Sequence, residues 1–232
     1  MTNRLKTFVA AASLIVFGSA AVANAGPRVP QVPVVGGGLQ AYFISIGESI
    51  NVNTDQQDNQ VFQQSASGNA SVTIMFQSSP NAVVQQIGVY NASAVIPPLF
   101  FLISGSVGPL GYSTMSFKPG NIMVVNRFDN LANFLSTTTF GGFDAGNFGF
   151  YLSVAAGTVF SQDGRNPGGL ARMIAFKGTG LNSGEWFLCF DEPLPGAPGD
   201  QDFDDCVIVL ESVNPLATEP TTWGAVKALY KK

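Results

Sequence analysis

Histidine is absent from this chain of 232 residues, and charge is scarce, with 11 basic and 15 acidic side chains. Without histidine the chain cannot build a Ser-His-Asp or Cys-His catalytic group, nor a zinc site with an imidazole ligand. The two cysteines, Cys189 and Cys206, are too few for an all-thiolate zinc site. Runs of the Ala, Leu, Glu and Lys that make good surface helices are also few. Beyond the first 25 residues no apolar stretch approaches the roughly 20 residues a spanning helix needs, which argues against membrane insertion of the mature chain.

The chain opens like an export signal. Arg4 and Lys6 precede an apolar stretch from Phe8 to about Val22, and small residues at Ala23 and Ala25 predict cleavage before Gly26. Removal of residues 1–25 leaves nine basic against 15 acidic groups. An acidic, exported protein has no basic face for phosphates, so nucleic acid is not an expected partner. The expected location is extracellular or at the surface of a bacterial cell, with the partner an unknown surface ligand, a polysaccharide or a matrix protein.

Abundant glycine (26), proline (14) and phenylalanine (19), with many Val, Ile, Ser and Thr, favour strands and turns. Short runs such as "LQAYFISI", "SVTIMFQ", "PLFFLIS", "YSTMSFK", "IMVVNRF", "FGFYLSV", "RMIAFKG", "EWFLCFD" and "DCVIVLESV" recur between turn signals such as "KPGN" and "RNPGG". That spacing predicts an all-β, single-domain β-sandwich of jelly-roll type over residues 40–213. A flexible Pro/Gly-rich lead occupies 26–39, and a tail spans 214–232. Two short helices are expected. One lies in "RFDNLANFLS", capped by Asp129; the other lies in the tail, where Trp223, Val226, Leu229 and Tyr230 share a face and serve either docking or sorting.

The chemistry concentrates in "GDQDFDD", where Asp200, Asp202, Asp204 and Asp205 crowd into six residues. Carboxylates this close raise one another's pKa values unless a cation lies among them. An exported chain with two cysteines invites a Cys189–Cys206 disulfide, which would add about 3 kcal/mol by closing a short loop. With the cysteines opposite each other, Trp186 would face Val209, Phe187 would face Ile208 and Asp191 would face Asp204. Asp191 and Glu192 would then join the other acids at the mouth of one hairpin, offering the oxygens a calcium ion takes. The spacing of Asp200, Asp202, Asp204 and Glu211 imitates an EF-hand, but the turn glycine is missing and the flanks are strand-like. The competing reading of the cluster is a solvated acidic loop that discourages edge pairing.

Weaker candidates remain. Asp55 with Asp58, and Asp163, sit in loops more often plain turns, and Asn69 and Asn91 match the glycosylation pattern only formally. Glu185, Asp191 or Glu192 could form the carboxylate pair of a glycosidase, but they flank a structural hairpin, so no enzyme is expected.

The stretches "QQIGVYN", "MSFKPGN", "STTTFGGFDAGNFGFYLS", "FSQDGRNPGG", "AFKGTGLNSGEWFLCFDE" and "GDQDFDDCVIVLESVNP" resemble a bacterial secreted domain family of unknown function. Its members often carry a PEP-CTERM sorting tail and share an acidic D-x-D-(Y/F)-(N/D)-D motif before an apolar strand. The resemblance spans residues 40–213 and is most specific at its C-terminal end. It implies a β-sandwich with a calcium site, in exported proteins that act at cell surfaces; with the acidic loop and the export signal, the expected role is a non-catalytic one in surface adhesion or extracellular matrix. By position the motif acids are Asp200, Asp202, Asp204 and Asp205, with Asp191 and Glu192 matching a preceding acidic pair. Asp204 stands where many members have Asn, the pair is Asp-Glu rather than Glu-Asp, Cys206 fills the apolar slot, and the sorting tail is missing. A carbohydrate-binding module is the alternative, which an exposed aromatic row beside the ion site would favour and a uniformly polar surface would count against.

Overall fold

The computed structural model describes residues 26–193 and 199–216. The expected signal peptide and the expected tail helix lie outside them. Thirteen strands form two antiparallel sheets. In chain order they are β1 (Val61–Gln64), β2 (Asn69–Phe76), β3 (Gln86–Asn91), β4 (Leu99–Ser104), β5 (Tyr112–Lys118), β6 (Ile122–Phe128), β7 (Phe134–Gly141), β8 (Phe148–Val154), β9 (Gly157–Phe160), β10 (Met173–Lys177), β11 (Trp186–Phe190), β12 (Cys206–Glu211) and β13 (Val213–Leu216). One sheet runs β10-β11-β12-β2-β5-β6-β7; the other runs β13-β1-β8-β3-β4, with β9 also beside β8. The β-sandwich expected from the spacing of apolar runs is therefore the architecture.

The main core fills the space between the sheets. Val72 and Ile74, Ile87 and Val89, Phe148 and Phe150, Leu188 and Phe190, and Ile208 and Leu210 all point into it, alternate residues of their strands. The other face of β10, β11 and β12 is also covered. There Ile174, Phe176, Phe187, Cys189, Val207 and Val209 pack with Leu39 and Phe43 of the one α-helix of the described residues, α1 (Gly38–Ser45). Burial on both faces explains why "WFLCF" and "CVIVL" are continuous apolar runs rather than alternating ones.

Three expectations are corrected. "LQAYFISI" is helical rather than extended, because Leu39 and Phe43, one turn apart, reach the sheet together. The Phe43 ring meets Phe176 and Phe187 edge-on, with centroids 5.3 and 5.2 Å away. "RFDNLANFLS" is a hairpin turn rather than a helix. Asp129 accepts hydrogen bonds from the Leu131 and Asn133 amides at 2.9 and 2.8 Å, as a helix cap would, but Ala132 takes a left-handed φ of 61° and turns the chain back into β7. The cysteines do not pair: both are free and buried.

The register explains the third correction. Cys189 lies opposite Val207 and Cys206 opposite Phe190, so Trp186 faces Leu210 and Phe187 faces Val209, one residue from the expected pairing. A slip of one residue turns every side chain to the other face. The observed register puts Cys206, Ile208 and Leu210 between the sheets, and Val207 and Val209 under α1.

The Pro/Gly lead is extended but fastened. Arg28 makes an ion pair with Asp163, and the Gln56 side chain accepts from the Val32 amide at 2.8 Å and donates to the Val32 carbonyl at 2.7 Å. No helix among the described residues is long and apolar enough to cross a membrane.

Candidate metal centre

The acidic loop leaves β11 at Phe190 and returns to β12 at Cys206. Its described part is fixed at several points. Phe203 is fully buried under α1, the Gln201 carbonyl accepts from the Val35 amide at 2.9 Å, and the Asp204 carbonyl accepts from the Ser78 amide at 3.2 Å. Gly199, Gln201 and Phe203 all have positive φ, at 55°, 65° and 57°, and alternate with Asp200, Asp202 and Asp204. A left-handed residue other than glycine costs of order 1 kcal/mol, so the anchors at Phe203 and Gln201 hold the loop in a costly conformation that gathers its acids.

Four carboxylates converge. One oxygen from each of Asp191, Asp200, Asp202 and Asp205 lies within 4.8 Å of the others. Asp191 and Asp205 are buried, Asp202 is half-buried and Asp200 is exposed, so the group opens to solvent on one side. The strands set this: Asp191 directly follows β11 and Asp205 directly precedes β12, and Asp205 is clamped by the Glu192 amide at 2.8 Å.

The two other acids expected at the site stand beside it, with their carboxylates engaged by other partners. Asp204 accepts from the Ser78 hydroxyl and lies so close to Gly38, at the start of α1, that a Cβ there would collide with its carboxylate. Glu192 is buried and accepts from Ser79 Oγ, from Asn81 Nδ2 at 2.7 Å and from Gln85 Nε2 at 3.1 Å. These acids lock the loop to the segment after β2 and are structural.

Arg172 and Gly199 also belong to the site; no sequence signal marked Arg172, and Gly199 stood out only as the glycine that opens "GDQDFDD". The Arg172 guanidinium pairs with Asp191, whose other oxygen accepts from the Gln201 amide at 3.0 Å. A Cβ on Gly199 would come within 2.5 and 2.6 Å of the Asp191 oxygens, so only glycine fits there.

One guanidinium does not balance four carboxylates. Burial, followed by the charges of Asp204 and Asp200, pushes Asp202 up to about 7. Burial, followed by the charges of Glu192, Asp202 and Asp191, pushes Asp205 up to about 8. Burial also raises Asp191, against the opposing hydrogen bonds of Gln201 and Arg172. Alone, the cluster therefore holds protons near neutral pH; a bound cation would reverse that preference.

The donor set fits a hard cation. All four ligand atoms are carboxylate oxygens, and ligands on opposite sides of a calcium ion at about 2.4 Å stand about 4.8 Å apart. The cluster could hold a metal ion.

The other sequence candidates do different work. Asp55 closes a turn onto the Asn51 amide at 2.8 Å, Asp163 pairs with Arg28, and Gln60 bonds Asp58 at 2.7 Å. Asn69 and Asn91 bond Ser116 Oγ and the Gly142 carbonyl. Glu185 immediately precedes β11, apart from the four-carboxylate group, and burial with the charges of Glu211 and Glu48 raises its pKa. Asp191 is committed to the acid cluster and Glu192 to the segment after β2.

No protein-family model and no curated protein matches the chain. Among solved structures the chain is similar to a double mutant of Congerin II, at 11% identity, covering 68% of this chain and 88% of that one with a TM-score of 0.18.

Proposed function

We propose that this is a secreted, non-catalytic β-sandwich stabilised by calcium, acting in surface adhesion or extracellular matrix. The observation that carries the calcium reading is the convergence of Asp191, Asp200, Asp202 and Asp205, with proton affinities raised into the neutral range at Asp202 and Asp205. An ion there would tie the end of β11 to the loop and to the start of β12, stiffening one rim of the sandwich. The export signal and the resemblance to bacterial secreted domains support the location and the surface role.

Thermal unfolding in calcium, in magnesium and in chelator tests the reading, because a ligand of the folded state raises stability once it exceeds its dissociation constant. Calcium should raise Tm, and Asp202→Ala with Asp205→Ala should abolish the rise. No shift with any ion would leave the loop as a solvated acidic turn.

A carbohydrate-binding role is the second reading, favoured by an aromatic row, although this row lies away from the acid cluster rather than beside it. Tyr112, Phe128 and Phe134 line up across β5, β6 and β7 on the outer sheet face, Tyr112 stacked on Phe128 at 4.6 Å and Phe128 meeting Phe134 edge-on at 5.8 Å. Beside them Thr137 donates to Asn126 at 2.6 Å, a polar row next to an aromatic one. Aromatic faces with adjacent hydrogen-bonding groups suit sugar rings. Retention on polysaccharide columns that Phe134→Ala removes would support this role, and elution with the void in all cases would discard it.

A further inference from the structure

We infer that β7 is the contact through which two copies of this chain associate, edge to edge, joining their larger sheets into one. The two sheets end in five strands with a free side, and four of these are closed off. At β4, which has a bulge opposite Ile87 and Gly88, the buried Arg127 of β6 donates to two successive carbonyls, Phe101 O at 2.6 Å and Leu102 O at 2.7 Å, with its guanidinium over the Phe101 ring. At β9 the Asn166 side chain imitates a neighbouring strand, accepting from the Phe160 amide at 2.8 Å and donating to its carbonyl at 2.9 Å. At β10 the Gln57 amide occupies the Ala175 carbonyl at 2.8 Å. At β13 the strand is only four residues long and includes Pro215, which has no N–H to offer.

The fifth side is open. β7 has eight residues, is hydrogen-bonded to β6 along one side, and among the described residues no other segment pairs with it. No charged residue or proline occurs between Asp129 and Asp144, and the one bulge, at Leu135, leaves Ser136–Gly141 in unbroken register with β6. The adjoining apolar side chains are uncovered: Leu131 is 78% exposed, Phe134 60% and Leu135 50%. Among the described residues, four edges are guarded with an arginine, an asparagine, a backbone bridge and a proline and the longest one is left without a partner, which marks that one for pairing.

A second copy is the occupant that satisfies this edge most simply. Two β7 strands running antiparallel about a two-fold axis offer each other the same outward N–H and C=O groups, so the contact is self-complementary and closes at two subunits. The uncharged "FLSTTTFG" brings no like charges into opposition in such a pair. Phe134 and Leu135 of each copy would be covered at its margins. The contact is independent of the acid cluster, which lies at the other side of the sheet, so its test does not depend on calcium.

Sedimentation of the purified protein over a wide concentration range, with calcium and with chelator, tests the inference. The protein should sediment as a dimer in both solutions. Thr137→Lys with Thr139→Lys places exposed charges on the edge and should raise the dimer dissociation constant on the order of ten-fold or more, with the circular dichroism spectrum unchanged. Val95→Lys with Ile96→Lys adds the same charge to a fully exposed loop and should leave the dimer intact. A monomer at all concentrations, or a Thr137→Lys/Thr139→Lys variant that dimerises as the wild type does, would overturn the assignment.

Discussion

Cys189 and Cys206 lie on adjacent strands yet face opposite sides of the same sheet, Cys189 toward α1 and Cys206 into the space between the sheets. Both side chains are fully buried, and burial raises both thiols well above their ordinary pKa values. They are core residues, with no route to each other or to solvent. A thiol reagent should therefore label neither cysteine in the native protein and both after denaturation, and reductant should leave Tm unchanged. Loss of Tm on reduction would show a disulfide.

The proposed calcium site would link ion binding to pH. Asp202 and Asp205 have folded-state pKa values of about 7 and about 8 against 3.8 for the free side chain. Their raised values favour the protonated folded state, so that contribution is fully present below about pH 4 and is lost as pH rises toward 8. Without calcium, stability should fall across this window. With calcium the carboxylates are held ionised and the fall should be reversed, so the Tm increase from calcium should be small at pH 5 and large at pH 8. Equal increases at both values would contradict protonation of the ligands.

Gly199 is the tightest point of the site. Gly199→Ala sets a methyl group against Asp191 in a left-handed conformation, and should cost about 1–3 kcal/mol of stability. Because Asp191 moves, calcium should also lose affinity. Denaturant unfolding with and without calcium measures both, and an unaffected variant would mean that Asp191 is not held as described.

Glu48 secures the other flank of the helix-covered face. Its buried carboxylate accepts from the Thr179 amide at 2.6 Å, the Gly180 amide at 2.7 Å and Asn182 Nδ2 at 2.8 Å. Burial pushes its pKa up, but the Gly180, Thr179 and Asn182 hydrogen bonds prevail and hold it at about 2, against 4.5 when free. That stabilisation is present above about pH 4.5 and fades as pH falls toward 2. Glu48→Ala should cost about 2–4 kcal/mol at pH 7, by leaving these donors unpaired, and less at pH 3. A cost that does not change with pH would remove the carboxylate's charge from the account.

Strands flanked by turns were legible because burial of one face of a sheet puts an apolar residue at alternate positions, as with Met115 and Phe117 in "YSTMSFK" and Met123 and Val125 in "IMVVNRF". The acid cluster was legible as charge density in "GDQDFDD". What was not legible depends on contacts distant in sequence. Asp129 makes cap-like hydrogen bonds in a helix start and in a hairpin turn alike, and only the pairing of β7 with β6 decides between them. The Cys189 register was set by which face Phe203 and Val207 bury, and so could not be counted from the cysteines. Asp204 and Glu192 were drawn from the site by Ser78, Ser79, Asn81 and Gln85, more than a hundred positions away, and Arg172 reached Asp191 by the pairing of β10 with β11.

The decisive measurement is the anomalous scattering of a crystal grown with calcium. A calcium ion at the proposed site would give a single strong peak about 2.3–2.6 Å from an oxygen of each of Asp191, Asp200, Asp202 and Asp205, with Asp204 and Glu192 outside the shell. Density without a peak, with Asp202 and Asp205 hydrogen-bonded to their neighbours as neutral acids, would contradict that site.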